Sequence, residues 1–403
     1  MREIKTDIAI VGGGVAGFAA AMSAAEFGVS VILLEKENEL GGNAVLSNVG
    51  TICGAYYHAD AVETISPVDH PFLKKVLQDI VAQPIIHHDG LVVVPYRVNA
   101  LRQYMEEQLK LSAVQVHYGA NVIESQLQNH RISSIVMEAG GETIRLLAKS
   151  YVDCSGRGVL SGLAGLEMIR SATYQRASQV FKVKGVTSSS EYALNFAIRK
   201  TLFQTMGDKT NTLVNTTVIP GSLVGDCVDL KFTLPCHVTD QTTQDSLNEL
   251  GRKLVGQVFS IIQSRLESFA KASIDCIYPQ AGIRVLQRSK GHYILTENDV
   301  LTGRKLEGSP VIATWPIEEW DQSGRAQLSN IADHGFYHIP LDCLQSCFAE
   351  NLYFAGKNIS ATDRAIGSAR VIGTCLQTGY EAGKLALNFS RFHDESKSPL
   401  DKK

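Results

Sequence analysis

One stretch constrains this chain more than any other. It reads Asp7-Ile-Ala-Ile-Val-Gly12-Gly-Gly14-Val-Ala-Gly17 and is closed by Val31-Ile-Leu-Leu-Glu35-Lys36. The apolar run Ile8 to Val11 predicts a buried parallel strand feeding a glycine-rich turn. A small-residue helix over Phe18 to Phe27 and a second strand ending at Glu35 complete a βαβ unit, the order a dinucleotide fold requires. Gly12 permits the tight turn, Gly14 lets the backbone approach a pyrophosphate, and Gly17 lets the helix pack closely on the strand. Free N–H groups at Gly14, Val15 and Ala16, reinforced by the helix dipole, face the phosphates. Glu35, followed by Lys36, stands where a carboxylate accepts hydrogen bonds from ribose hydroxyls.

The residues beyond Glu35 favour FAD over NAD. Gly41-Gly42-Asn43-Ala44 follows the acid closely. In flavoproteins of the glutathione-reductase-like superfamily such a pair lets the chain cross the pyrophosphate and ribityl chain, although Gly-Gly is also ordinary turn punctuation. A second glycine-rich strand-to-helix junction decides between the two. Asn351-Leu-Tyr-Phe-Ala-Gly356 leads into Ala361 to Thr374, which contains Gly367, Val371 and Ile372, and then into a small-residue helix over Cys375 to Leu387. A flavin ring lies far from its adenine and needs its own cradle, where a helix N-terminus favours negative charge on the reduced ring.

With these motifs in place, the chain resembles the FAD-dependent oxidoreductase family, distantly related to fumarate reductase flavoproteins. The resemblance rests on Gly282-Ile-Arg284, Gly291 to Leu301, Tyr337-His-Ile-Pro340, Asn351 to Gly356 and Ser360 to Thr374. Tyr151-Val-Asp153-Cys-Ser155-Gly156 also matches, and the resemblance implies that Ser155 and Gly156 lie beside the pyrophosphate and Val122 against the adenine edge. Many relatives carry His where this chain has Asp363, so no role is carried over to that side chain. The match is weak between Arg170 and Ile274.

The expected fold is α/β: a Rossmann-like FAD-binding domain of the glutathione-reductase-like kind with an inserted mixed α+β substrate domain. A length of 403 residues suits two domains, and 44% hydrophobic with 20% charged residues describes a soluble globular chain. The FAD domain is expected from 1–50, 97–166 and 348–392, the capping domain from 51–96 and 167–347, and a disordered tail from 393–403. Within these, a helix is predicted through Leu101, Met105 and Leu109, then strands over Val122 to Gln128, Arg131 to Glu138 and Glu142 to Ser150. In the insert, strands are predicted over Thr217 to Pro220, Asp229 to Leu234, Arg284 to His292 and Val311 to Ile317, and a long amphipathic helix over Asp245 to Ser273.

A formal charge of -3 gives no field for nucleic acid. The run Ile8 to Ala25 imitates a membrane span, but its glycines and βαβ register argue against one, and a cytoplasmic location without a membrane span is expected. Eight scattered cysteines form no CxxC pair, so neither a redox disulfide nor a zinc ribbon is expected. The pair His87-His88 lacks a third ligand at useful spacing, and no metal is expected. Gly42 is followed by Asn43, not His, which leaves the flavin non-covalent.

Catalytic candidates come from segments expected to reach the flavin. Asn48 to His58 passes near the ring, and Tyr57 and His58 either handle substrate or form a surface pair. Arg284 either clamps a carboxylate or stabilises the reduced ring, or else forms a structural ion pair with Asp299 or Glu297. Tyr337 and His338 precede Ile339-Pro340 in a strand that the family resemblance implies lies over the ring. Arg364 is a substrate-facing candidate, whereas Arg370 is expected to hold the turn together. The resulting reading is an enzyme that transfers a hydride between a small organic substrate and the flavin, with an electron donor or acceptor recycling it. The alternatives are a flavin monooxygenase, including one acting on a peptide or protein, and a non-catalytic assembly protein stabilised by FAD. Oligomeric state is left open.

Overall fold

The computed structural model describes residues 1–80, 83–86, 88–171, 176–207, 211–236, 238, 242–320 and 325–392. The tail 393–403 and His87 therefore lie outside the described residues.

Arg2–Val11 forms the opening strand, longer than its apolar run because Arg2 to Thr6 continue the pairing. It lies parallel to Val31–Leu34 on one side and to Glu142–Asp153 on the other, and Val31–Leu34 in turn carries Gln115–His117 in parallel. Asn121–Gln128 and Arg131–Ala139 add an antiparallel meander. The third expected meander strand and the returning Tyr151-Val-Asp153 are one strand. Its first half pairs with the meander, and its last residues pair in parallel with Leu352–Phe354. In consequence, Asp153 has Val11 on one side and Phe354 on the other.

Two helices cover one face of this sheet. The first, Val15–Ala24, starts directly after the glycine turn and is buried almost throughout. Ile372–Phe392 packs across it, and the contact depends on missing side chains. A Cβ on Gly379 would run into the carbonyl oxygen of Ala16, and one on Gly383 into that of Ala20. The helix Val98–Leu111 buries Leu101, Met105 and Leu109 against the same layer, as its spacing predicts.

The central third builds a four-stranded antiparallel sheet in the order Thr217–Val218, Cys227–Thr233, Ser178–Lys184, Ser273–Ile277. One face, with Phe181, Val183, Leu230 and Phe232, packs on Glu191–Met206 and on Gln244–Arg265. Leu247, Leu254 and Val258 of that long helix are buried. The other face carries Ser178, Val180 and Lys231 toward the first sheet.

The expected strands over Arg284 to His292 and Val311 to Ile317 are not continuous. Only Gln287–Ser289, Ile312–Ala313 and Ile317–Trp320 pair. Around Ile283 the backbone is held by side chains instead: Asn43 Nδ2 and Lys357 Nζ both donate to its carbonyl oxygen, at 2.8 and 2.9 Å. No helix of the described residues is long and apolar enough to cross a membrane.

Candidate functional site

A single cavity of about 490 Å³ runs between the two sheets, from the opening glycine turn to the inserted sheet. At one end lie Gly12, Gly14, Val15 and Ala16. Gly12 adopts φ +102°, and a Cβ there would sit 2.6 Å from the Cys154 carbonyl oxygen, so only glycine fits. Gly14 meets nothing on its Cβ side, and the helix it begins has no side-chain cap among the described residues. The first N–H groups of that helix are therefore directed at open space.

Glu35 and Lys36 line the same end. The Glu35 carboxylate is buried, and its two oxygens accept N–H bonds from Gly13 at 2.7 Å and Glu37 at 2.9 Å. Burial pushes its carboxyl above the ordinary value despite these bonds. Each oxygen keeps a further lone pair for a sugar hydroxyl. Val122, Ser155 and Gly156 complete this end.

Gly42, Asn43 and Ala44 lie farther along, and the bridge between Gly14 and Gly41 folds this segment across the first turn. Beyond it, Ser47 Oγ and Asn48 Oδ1 are buried with no hydrogen-bond partner among the described residues. Gly356, Val371 and Ile372 close the opposite wall, where the last long helix begins. Gly367 does not line the cavity; it is pressed against the Glu318 backbone, its absent Cβ 2.9 Å from that carbonyl oxygen.

Of the catalytic candidates, Arg284 alone lines the cavity. It pairs with neither Asp299 nor Glu297. Asp299 instead binds Arg304 at 2.9 Å, while Arg284 Nη1 donates to the Arg176 carbonyl. The other candidates are directed elsewhere. The chain turns away at Gly54, which leaves His58 against the Asp89 carbonyl and 4.4 Å from the His334 ring. Tyr337 is fully buried in a separate core, its hydroxyl 2.7 Å from Ser368 Oγ. His338 Nδ1 lies 2.8 Å from the Leu306 carbonyl oxygen. Arg364 is half-exposed and pairs with Glu319 at 3.2 Å. Of Arg364 and Arg370, it is Arg370, expected only to hold the turn, that faces the cavity.

Four further cavity residues escaped the sequence reading: Lys231, Glu318 and Trp320 at this end, and Lys357 beside Gly156. Glu318 accepts from both tryptophans, Trp320 Nε1 at 2.5 Å and Trp315 Nε1 at 3.3 Å, and pairs with Arg370 at 3.4 Å. Burial alone would raise the Glu318 carboxyl, but Arg370, Arg284 and Lys231 outweigh it and hold it below the ordinary value. Arg284 is pushed down to about 9 by burial and by Arg370. Burial, then the nearby Arg284, lowers Lys231. The Cys53 thiol, forced up to about 12 by burial, stays protonated and is no nucleophile at neutral pH. Lys231 is the polar position of an alternating strand, and Lys357 follows the second glycine turn; both patterns were visible but not decisive.

The sequence pattern of the FAD dependent oxidoreductase family matches residues 7–391. This chain belongs to that family. Its residues fit FAD: an uncapped helix start for the pyrophosphate, an acid for the ribose, orphaned polar atoms midway and a second helix start at the far wall. The chain is also similar, over 44 residues at 54% identity, to the cytochrome fumarate reductase of Shewanella frigidimarina; the match spans 11% of this chain and 8% of that protein. Two solved structures share the fold of this FAD dependent oxidoreductase. One is a geranylgeranyl bacteriochlorophyll reductase-like protein of Thermoplasma acidophilum, 11% identical, with a TM-score of 0.52 over 97% of this chain and 80% of that one. The other is the p-nitrophenol 4-monooxygenase of Pseudomonas putida, 13% identical, with a TM-score of 0.52 over 99% of this chain and 82% of that one.

Proposed function

We propose that this FAD dependent oxidoreductase exchanges a hydride between a small organic substrate and a non-covalently held FAD, with Arg284 at the substrate end of the cavity. The observation that carries the reading is the continuity of that cavity. It joins the uncapped helix start at Gly14 and the acid Glu35 to a buried guanidinium at Arg284. FAD supplies the hydride chemistry at its N5 when bound. The chain's own residues do the rest. The backbone N–H groups of the first helix and the Glu35 carboxylate hold the nucleotide. The inserted sheet, through Ser178 and Val180, excludes water above it. Arg284 orients the substrate by charge.

The same reading divides the chain into a nucleotide-holding domain (1–50, 97–166 and 348–392) and a capping domain (51–96 and 167–347). The separate core of the inserted sheet and its two helices supports that division. The test is anaerobic photoreduction of the FAD-loaded protein, then mixing with candidate organic acceptors and with oxygen. Reoxidation by an organic acceptor, matched mole for mole by its reduced product, is the expected result. A flavin that no donor reduces would overturn the reading, as would oxygen uptake coupled to an oxygenated product.

A further inference from the structure

The substrate end of the cavity holds more positive charge than its own groups balance. Lys231, Arg284 and Arg370 all line it beside Glu318. That carboxylate is already engaged by two indole N–H groups and by Arg370. The Arg284 guanidinium lies 4.1 Å from the centre of the Trp320 ring, and the Lys231 ammonium 5.6 Å from the same centre. Three cations thus surround one carboxylate, which leaves two positive charges without a countercharge among the described residues at this end of the cavity. Buried charge of one sign is costly unless a partner completes it. Arg370 Nε is, in addition, buried with no hydrogen-bond partner.

We propose that this group is a recognition site for a small organic dianion, and that the substrate enters as that anion with its charged groups toward Lys231, Arg284 and Arg370. The inference rests on the hydride-exchange reading above and narrows its substrate class. Glu318 is a positioning residue: it neutralises one cation and fixes Arg370 and the two indoles, so the remaining charges stay directed at the cavity. Burial lowers both Arg284 and Lys231, with Arg370 repelling the first and Arg284 the second, and an incoming anion offsets that repulsion. The Trp320 ring lies within reach of both Arg284 and Lys231 and offers an apolar surface beside them. Dicarboxylates and phosphate monoesters share the required charge.

The test titrates the FAD-loaded protein with malonate, with phenyl phosphate and with the neutral diamide of malonate. Calorimetry and the perturbation of the flavin absorbance band are read together. One or both anions are expected to bind and shift the band, whereas the diamide does neither. The tighter anion then assigns carboxylate or phosphate chemistry. Lys231→Met and Arg284→Met should each weaken the anion by about tenfold or more while FAD content per chain is unchanged. Lys231→Arg, which keeps the charge, should retain most of the affinity. Equal binding of the diamide, or no binding of either anion to a protein whose FAD is loaded and reducible, would overturn the dianion site. A protein that fails to load or reduce FAD would instead overturn the reading beneath it. Should Lys231→Met not fold, the contrast between anion and diamide on the parent protein still decides.

Discussion

Gly379 in the last long helix sits directly against the carbonyl of Ala16 in the first, where a Cβ would collide with that oxygen and lie 2.9 Å from the Ala16 Cα. Ala16 lines the nucleotide end of the cavity, so this contact sets the cavity wall as well as the helix packing. Gly379→Ala should therefore cost about 1–3 kcal/mol, the usual range for overpacking. Urea titration checks the stability, and FAD retained after desalting checks the wall. An unchanged midpoint would show that the two helices can separate without penalty.

Glu35→Ala removes the carboxylate that receives the Gly13 and Glu37 N–H groups and lines the adenosine end. Losing a hydrogen-bonded buried charge is expected to weaken FAD by about 1–3 kcal/mol, roughly ten- to a hundredfold in dissociation constant. Fluorescence titration of the cofactor-free protein with FAD measures this. Equal affinity in the two proteins would displace the ribose from that end.

Arg284→Ala should spare FAD retention and impair turnover. The loss expected for a buried charge partner is about 2–5 kcal/mol, which is about thirty-fold or more in kcat/KM. Arg364→Ala serves as its control. Its half-exposed pair with Glu319 lies outside the cavity, and changes of this kind stay within about 0.5 kcal/mol. Comparable kinetic losses in the two variants would mean that Arg284 acts only through general stability.

Lys357 gives a pH dependence. Burial lowers its ammonium to about 8, helped by repulsion from Arg157, Arg370 and Lys36, with Cys375 opposing. A cation lowered in this way is protonated below pH 8 and neutral above it in the cofactor-free protein. An anionic cofactor binds the protonated form better, so FAD affinity is expected to fall as pH rises above about 8. Lys357→Met should bind FAD more weakly at pH 7 and flatten the profile. A parent protein whose affinity does not change between pH 7 and 9 would remove Lys357 from the nucleotide's surroundings.

Much of the nucleotide half was legible because backbone conformation itself demands glycine there. Gly12 and Gly41 sit at φ +102° and +106°, and continuous apolar runs fix the strands Ile8 to Val11 and Val31–Leu34 on either side of the first turn and helix. The end of the cavity around Arg284 was less legible because its contacts link residues far apart in the chain. Lys231 reaches Trp320 through the register that sets it opposite Val180, and no local pattern encodes that pairing. Arg364 and Arg370 illustrate the same limit. They cap opposite ends of the short helix Ala365–Ala369, and six helical residues turn a side chain through about 240°, so only one of the two faces inward. The strand expected over Arg284 to His292 shrinks to Gln287–Ser289, and the carbonyl of Ile283 just before the expected span is bound by the side chains of Asn43 and Lys357 rather than by a strand.

The strand Glu142–Asp153 is the seam between the two ends of the chain, with residues from before Gly12 on one flank and Leu352–Phe354 on the other. A growing polypeptide therefore makes the glycine turn at Gly12 but cannot complete the sheet beside it until Leu352–Phe354 has emerged from the ribosome. Cofactor capture waits for both flanks, and a synthesis interrupted before residue 352 leaves a half-built sheet with an exposed edge where Leu352–Phe354 should dock.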